Sequence, residues 1–286
     1  MKMSHELSDT QNVCVGVGAA FIEAVLLQPT LYWKNARAQN LPFTLNPKIV
    51  YRGTFTSIMN EMQMMGVQFG LTGALQRLYI SIALGAAIGD KVNFSFMDEV
   101  LVATVGGCIS AITTSPVELV MIQQQLKGGS IPYQLTSIIK NHGILSNGMG
   151  RGLSQSIARD GIYTCGLLGI TPATQNILIN KYNYSERQAG FNASIIGGVT
   201  CAAISHPFDM VKTVLQGDLE KKKYGTVSET YKLLYNSPEN GGPTRFFNGL
   251  FWRSINIIGT IFIANEVRVY ASRAILERKD NGGVTK

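Results

Sequence analysis

Three prolines set the plan of this chain. Pro29, Pro116 and Pro207 lie 87 and 91 residues apart, each at the end of a glycine-led run of small and apolar residues. The runs are Gly18–Lys34 (GAAFIEAVLLQPTLYWK), Gly107–Met121 (GCISAITTSPVELVM) and Gly198–Lys212 (GVTCAAISHPFDMVK). A fixed period of this length marks internal repetition, so each third is one structural unit. Within a helical pattern a proline removes one backbone bond and bends the helix at that point.

The segment after each proline repeats too. Tyr51-Arg52-Gly53, Tyr133 and Tyr224-Gly225 each open a stretch of helical periodicity: TFTSIMNEM, QLTSIIKNH and TVSETYKLLY. Then come the apolar runs Gly70–Asp90, Gly152–Pro172 and Gly249–Val269, each about 20 residues, the length that crosses a bilayer. Each third therefore predicts a long helix, a short amphipathic helix and a second long helix. The whole predicts an all-α membrane protein of six spans, one domain over 1–286 with repeats near 11–95, 96–183 and 184–279. Only 15% of residues are charged, against about 25% in soluble domains, and the 30 glycines suit close helix packing in lipid. Mean hydropathy is only +0.12, so the spans must be polar on one face, as a bundle around a wet interior requires. Six core helices of a soluble protein are the competing reading, but that leaves the regular recurrence of kinked prolines without a simple cause.

The proline segments resemble those of the mitochondrial carrier family, whose odd-numbered helices end in Pro-x-(Asp/Glu)-x-x-(Lys/Arg). The third repeat has the motif intact in Pro207, Asp209 and Lys212, with Gln216 four residues on. The second keeps Pro116 and Glu118 but has Met121 at the basic position; the first keeps Pro29 and Lys34 but has Leu31 at the acidic one. The resemblance covers nearly the whole chain and implies a mechanism of alternating access. Acid and base of successive odd helices would close a matrix-side gate: Glu118 with Lys212, Asp209 with Lys34, and an apolar Leu31–Met121 contact. A second gate on the even helices would close the opposite side. There Asp90 fits an acidic position but Asn93 replaces its base, Pro172 and Gln175 replace the fourth helix's pair, and Glu266 or Val269 stands on the sixth without a base three residues on.

The expected cavity is plain. The mid-span stretches YISIALGAAIG, YTCGLLGIT and INIIGTIFIAN contain no Lys or Arg. Arg77, Arg159 and Arg253 are candidate substrate contacts near the matrix ends of the even helices, equally suited to phosphate headgroups or to the gate. Glu23, an acid inside an apolar run, reads either as a functional group or as a protonated or hydrogen-bonded cavity residue.

Other chemistries find little support. His5, His142 and His206 are far apart, and no metal spacing, catalytic triad or paired carboxylate stands out, so neither enzyme nor metal nor cofactor is expected. His206, beside Pro207, is expected to satisfy a helix end. Gly148–Gly152 (GMGRG) lacks the Lys-Ser/Thr of a phosphate loop. Cys14, Cys108, Cys165 and Cys201 sit in apolar segments and read as small core residues. Met1–Asn12 has neither a secretory core nor a transit-peptide pattern. A net charge of +7 without a basic stripe excludes nucleic acid and favours anionic lipid.

The resemblance implies bound cardiolipin at helix N-termini, where free N–H groups meet phosphate. Arg52, Gly53 and Gly225 would supply one side of such sites and Gly70, Gly152 and Gly249 the other, with Tyr133 departing from the pattern. Lys34, Arg37, Lys48, Arg52, Lys127, Lys140 and Lys221–Lys223 come after odd helices, which places those loops in the matrix and both termini in the intermembrane space. Two functions remain in play. The changed gates and uncharged cavity favour a non-transporting accessory subunit of a larger inner-membrane assembly, such as a respiratory-chain complex. The alternative is an active solute carrier for a neutral or weakly charged metabolite.

Overall fold

The computed structural model describes residues 9–64, 75, 78, 79, 96–145, 147–236 and 242–282, and among these the chain is helical without strands. Helices α1 (Asp9–Leu26) and α2 (Gln28–Ala38) form one bent rod. At the bend, Leu27 N–H still reaches Glu23 O (2.8 Å) and Leu31 N–H reaches Leu27 O (3.1 Å), while Pro29 has no N–H to give. After α3 (Pro47–Val50) and α4 (54–64) come α5 (Phe96–Lys127), α6 (Ile131–His142) and α7 (Leu153–Tyr182). Helices α8 (Glu186–Gly217) and α9 (Val227–Asn236), a 3-10 turn (Gly242–Phe247) and α10 (Leu250–Gly282) complete the chain. Pro116 and Pro207 lie inside α5 and α8, so in the second and third repeats the odd helix is continuous through its proline.

Local chemistry explains the short helices. Asn46 caps α3 by accepting from Lys48 N–H, with Pro47 at the first helical position. Ser130 does the same for α6, which ends at Gly143 with φ 80°. Helix α9 starts from a reciprocal capping box: Thr226 N–H donates to the Glu229 carboxylate (2.8 Å) and Glu229 N–H to Thr226 Oγ1 (3.3 Å). The stretches QLTSIIKNH and TVSETYKLLY are thus short helices, as their periodicity predicted.

Three close approaches reveal the threefold plan. A side chain at Gly53 would meet the Met121 carbonyl oxygen at 3.3 Å, at Gly152 the Lys212 carbonyl oxygen at 3.4 Å, and at Gly249 the Lys34 carbonyl oxygen at 2.8 Å. Each contacted residue stands five places after its repeat's proline. All three glycines have positive φ, between +79° and +95°, which a side chain would strain. The start of each even helix therefore rests on the next repeat's odd helix, and the third closes back on the first.

This corrects the reading of the first repeat. Gly53 occupies the position of Gly152 and Gly249, so α4 is the beginning of that repeat's even helix rather than its short amphipathic helix. The amphipathic element here is only the single turn of α3. The run Gly70–Asp90, expected to supply the even span, lies outside the described residues except at 75, 78 and 79, which are helical.

Packing divides the surfaces by polarity. Large apolar side chains project outward from each long helix, among them Phe21, Leu101, Ile112, Ile177, Ile204 and Phe262, as a lipid-facing exterior demands. The buried interior near the prolines is mixed, holding Leu119, Ile122 and Met210 beside Gln123, Asp209 and Lys212. Among the described residues, two helical segments are long and apolar enough by composition to cross a membrane. They are Phe96–Lys127 and Gly242–Ala271, with mean hydropathies of 1.6 and 1.3. The other long helices carry polar inner faces that lower the average. Of the cysteines, Cys201 is buried and Cys108 half-buried, but Cys165 is exposed. Its place on α7 is therefore outward, not in the core as expected; the side chain of Cys14 lies outside the described residues.

Candidate functional site

The prolines place the second and fifth residues after them at the junctions between repeats: acids at Glu118 and Asp209, bases at Lys34 and Lys212. Glu118 on α5 accepts from Lys212 on α8 at 2.5 Å, and Asp209 on α8 accepts from Lys34 on α2 at 3.0 Å. Arg159 on α7 joins these pairs. Its guanidinium donates to both Glu118 oxygens (2.9 and 3.2 Å), to Asp209 (3.2 Å) and to both oxygens of neighbouring Asp160 (2.6 and 3.0 Å). A planar fork of donors is suited to such shared contacts in a way an ammonium is not. Asp209 and Lys212 are only 2% exposed at their side chains, and charges so deeply placed are tolerated only while paired.

Arg253 on α10 completes the cluster. It lies 3.7 Å from Asp209, donates to Ser205 Oγ at 3.0 Å and stands over the Tyr163 ring at 5.9 Å. It also reaches His206 Nδ1 at 3.4 Å. Because arginine only donates, Nδ1 is the acceptor and the His206 Nε2–H donates to Asn248 O at 3.1 Å. His206 is thus a neutral helix-end partner, as its place beside Pro207 predicted. Gln28, the residue before Pro29, makes the matching bond, from Nε2 to Arg52 O at 3.1 Å.

The junction between the first and second repeats is built differently. Leu31 lines a small cavity, and Met121 packs beneath Gly53. One turn beyond each, Asn35 Nδ2 donates to Gln125 Oε1 at 2.7 Å in a buried contact. Thr56 on α4 donates to the adjacent Gln124. A neutral amide pair therefore ties the edge where sequence reasoning expected an apolar contact alone.

The cavity, about 40 Å³, is lined by Glu23, Leu27, Gln28, Leu31, Ser57, Glu61 and Asn256 among others. Glu23 accepts from Thr260 Oγ1 at 2.5 Å and lines the cavity, a placement that both of its readings share. Glu61, by contrast, was hidden. It lies in the stretch TFTSIMNEM, read as a short amphipathic helix and not singled out there, whereas α4 places it on the cavity wall. The Arg52-Gly53 and Arg151-Gly152 dipeptides were the available signal that both open an even helix.

The remaining predicted residues divide. Arg159 and Arg253 join the ion network; Arg77, Asp90 and Gly70 lie outside the described residues. Glu266 is exposed and accepts from adjacent Asn265 at 3.2 Å. Gly152 opens α7 without a side-chain cap, and Gly249 opens α10. Gly225 precedes α9, where the Glu229 carboxylate already takes the Thr226 N–H and so fills the place foreseen for a phosphate.

A family model described as mitochondrial carrier protein matches residues 186–267, the third repeat. The mitochondrial glycine transporter YMC1 of Saccharomyces cerevisiae is 27% identical over 218 residues, covering 71% of this chain and 67% of that protein. The mitochondrial 2-oxodicarboxylate carrier of Bos taurus is 25% identical over 196 residues, 65% of this chain and 62% of that one. Mitochondrial substrate carrier family protein X of Dictyostelium discoideum is 24% identical over 274 residues, covering 88% and 87%. The matched region thus spans about two thirds or less of the first two relatives and most of the third. Three proline-centred repeats closed into a ring, an intact motif in the third and this set of relatives converge: the chain is similar to proteins of the mitochondrial carrier family, by the family model over its third repeat and by these relatives at 24–27% identity.

Proposed function

We propose that this chain is a solute carrier of the mitochondrial inner membrane, working by alternating access, with the buried ion network as its matrix-side gate. The observation that carries the reading is Arg159. It joins the Glu118–Lys212 and Asp209–Lys34 pairs into one network across α2, α5, α7 and α8. A static subunit gains little from such a cluster, since buried ion pairs seldom stabilise better than apolar packing. A gate needs contacts that are firm when made and well solvated when parted. The relatives named as transporters favour the same reading over the accessory subunit that the changed motifs had favoured, and the family's members move solutes rather than catalyse reactions.

The cargo is a small solute, neutral overall or weakly charged. Glu23 and Glu61 on the cavity wall would repel a multiply charged anion, and Arg159 is already engaged by three carboxylates. Cardiolipin phosphates would sit at the even-helix starts by Arg52-Gly53, Gly152 and Gly249, with both termini towards the intermembrane space. The test is exchange of radiolabelled small solutes into cardiolipin-containing liposomes bearing the purified chain. Saturable uptake above protein-free liposomes is the expected result. No uptake of any solute, with stoichiometric migration of the chain in a large native complex, would return the accessory reading.

A further inference from the structure

We infer that Glu23, Glu61 and Gln28 form a binding site for a small cationic hydrogen-bond donor: the ammonium group of the carried solute, or a proton carried with it. The inference rests on the carrier reading and gives the cavity its chemistry.

The two carboxylates come from different repeat elements, Glu23 from α1 and Glu61 from α4, and line the same cavity of about 40 Å³. Among the described residues neither forms an ion pair. Glu61 lies within electrostatic reach of Glu23, Glu118 and Arg159, so two of its three charged neighbours repel it. Arg159, the one attractive neighbour, is engaged by Glu118, Asp160 and Asp209.

Gln28 is the independent sign that something is to be bound. It is 1% exposed, lines the cavity, and its Oε1 has no hydrogen-bond partner. The orientation of the amide is fixed, because Nε2 must donate to Arg52 O. An unpaired buried acceptor is costly, and here it faces two carboxylates. Asn256 spends its N–H groups on Thr30 Oγ1 (2.9 Å) and Leu27 O (3.5 Å), and so brings no donor to balance them. Acceptors and negative charge on facing helices call for a positively charged donor. The volume takes a group the size of an ammonium or a single water, not a whole metabolite. A solute would therefore insert only its amine end.

The two sources of that chemistry are separable. Thermal stabilisation of the purified full-length chain is measured with glycine and with glycolate, which replaces the ammonium by a hydroxyl. Uptake of both into liposomes carrying an internal pH indicator is monitored in parallel, for the wild type, Glu23→Gln and Glu61→Gln. If the ammonium is the ligand, glycine stabilises and glycolate does not, and each variant weakens glycine by about tenfold or more. If a proton is the ligand, glycolate uptake acidifies the lumen and each variant stops the acidification. The inference falls if both variants match the wild type in stabilisation, uptake and lumen pH. Glycine stabilisation lost in the variants, with no uptake by the wild type, would uphold the site and overturn the carrier reading instead. Uptake indifferent to both substitutions would uphold the carrier and overturn the site.

Discussion

Arg159 grips Glu118 with two parallel hydrogen bonds, 2.9 and 3.2 Å long, from a different helix of the same repeat. The same guanidinium reaches Asp209 in the next repeat, so one side chain couples two ion pairs. Replacing it by alanine leaves Glu118, Asp160 and Asp209 short of a partner in a buried place. The expected loss is roughly 3–5 kcal/mol of stability, read as a lower unfolding temperature of the detergent-solubilised protein. Arg159→Lys keeps the charge but not the fork, and should fall between wild type and alanine.

The Leu31–Met121 edge makes the gate asymmetric. Pseudosymmetry sets these positions opposite one another, as Asp209 is set opposite Lys34. Leu31→Asp alone buries an unpaired acid and should destabilise. Adding Met121→Lys should recover most of that loss and slow the exchange of solute, because a third ion pair must then part. A double-mutant cycle on unfolding temperature and exchange rate measures both effects; additive losses would show that the two side chains do not meet.

Gly249→Ala tests the ring closure. A Cβ there would lie 2.8 Å from the Lys34 carbonyl oxygen, on a backbone with φ +95°. Strain of this kind costs roughly 1–3 kcal/mol, so the substitution should lower the unfolding temperature clearly. The same change at Gly18, which meets nothing within 4 Å, should not.

Much of this architecture was legible because prolines and glycines leave a positional mark. The period of Pro29, Pro116 and Pro207 gave the three repeats, and the intact motif at Asp209 and Lys212 gave the chemistry of their junctions. The features that stayed hidden depended on register. The first repeat has a shortened loop after its odd helix, so Tyr51-Arg52-Gly53 looked like the entry to a short amphipathic helix, and Glu61 within it was not singled out. The Asn35–Gln125 bond was invisible for another reason: neutral amides carry no pattern, and only the approach of α2 and α5 pairs them. Arg159 was seen as a candidate for gate, substrate or lipid alike, because sequence gives the helix face but not the partner across it.

Outside the spanning helices, Asp218 organises the loop after α8. Its carboxylate accepts from the N–H groups of Lys222 (3.0 Å), Lys223 (2.7 Å) and Tyr224 (2.8 Å). Partial burial pushes its pKa up, but the three backbone bonds outweigh that and hold it below the usual carboxylate value. A lowered folded-state pKa contributes stability above the unfolded value, near pH ~3.9, and loses it as pH falls through the folded one. Asp218→Asn should therefore destabilise at neutral pH by roughly 1 kcal/mol. The gap to wild type should narrow in melts taken at progressively more acid pH.

The central claim is that the contacts at the proline end part and re-form. Gln125 is only 4% exposed and is held between α5 and α2 by Asn35, so a thiol placed there reports opening without knowledge of the cargo. The measurement is the rate at which Gln125→Cys, with the four native cysteines replaced by serine, reacts with a polar thiol reagent in proteoliposomes. The account predicts slow but complete labelling, faster when Glu118→Gln weakens the neighbouring junction. A thiol that stays unlabelled in both backgrounds, while the denatured protein reacts fully, would contradict it.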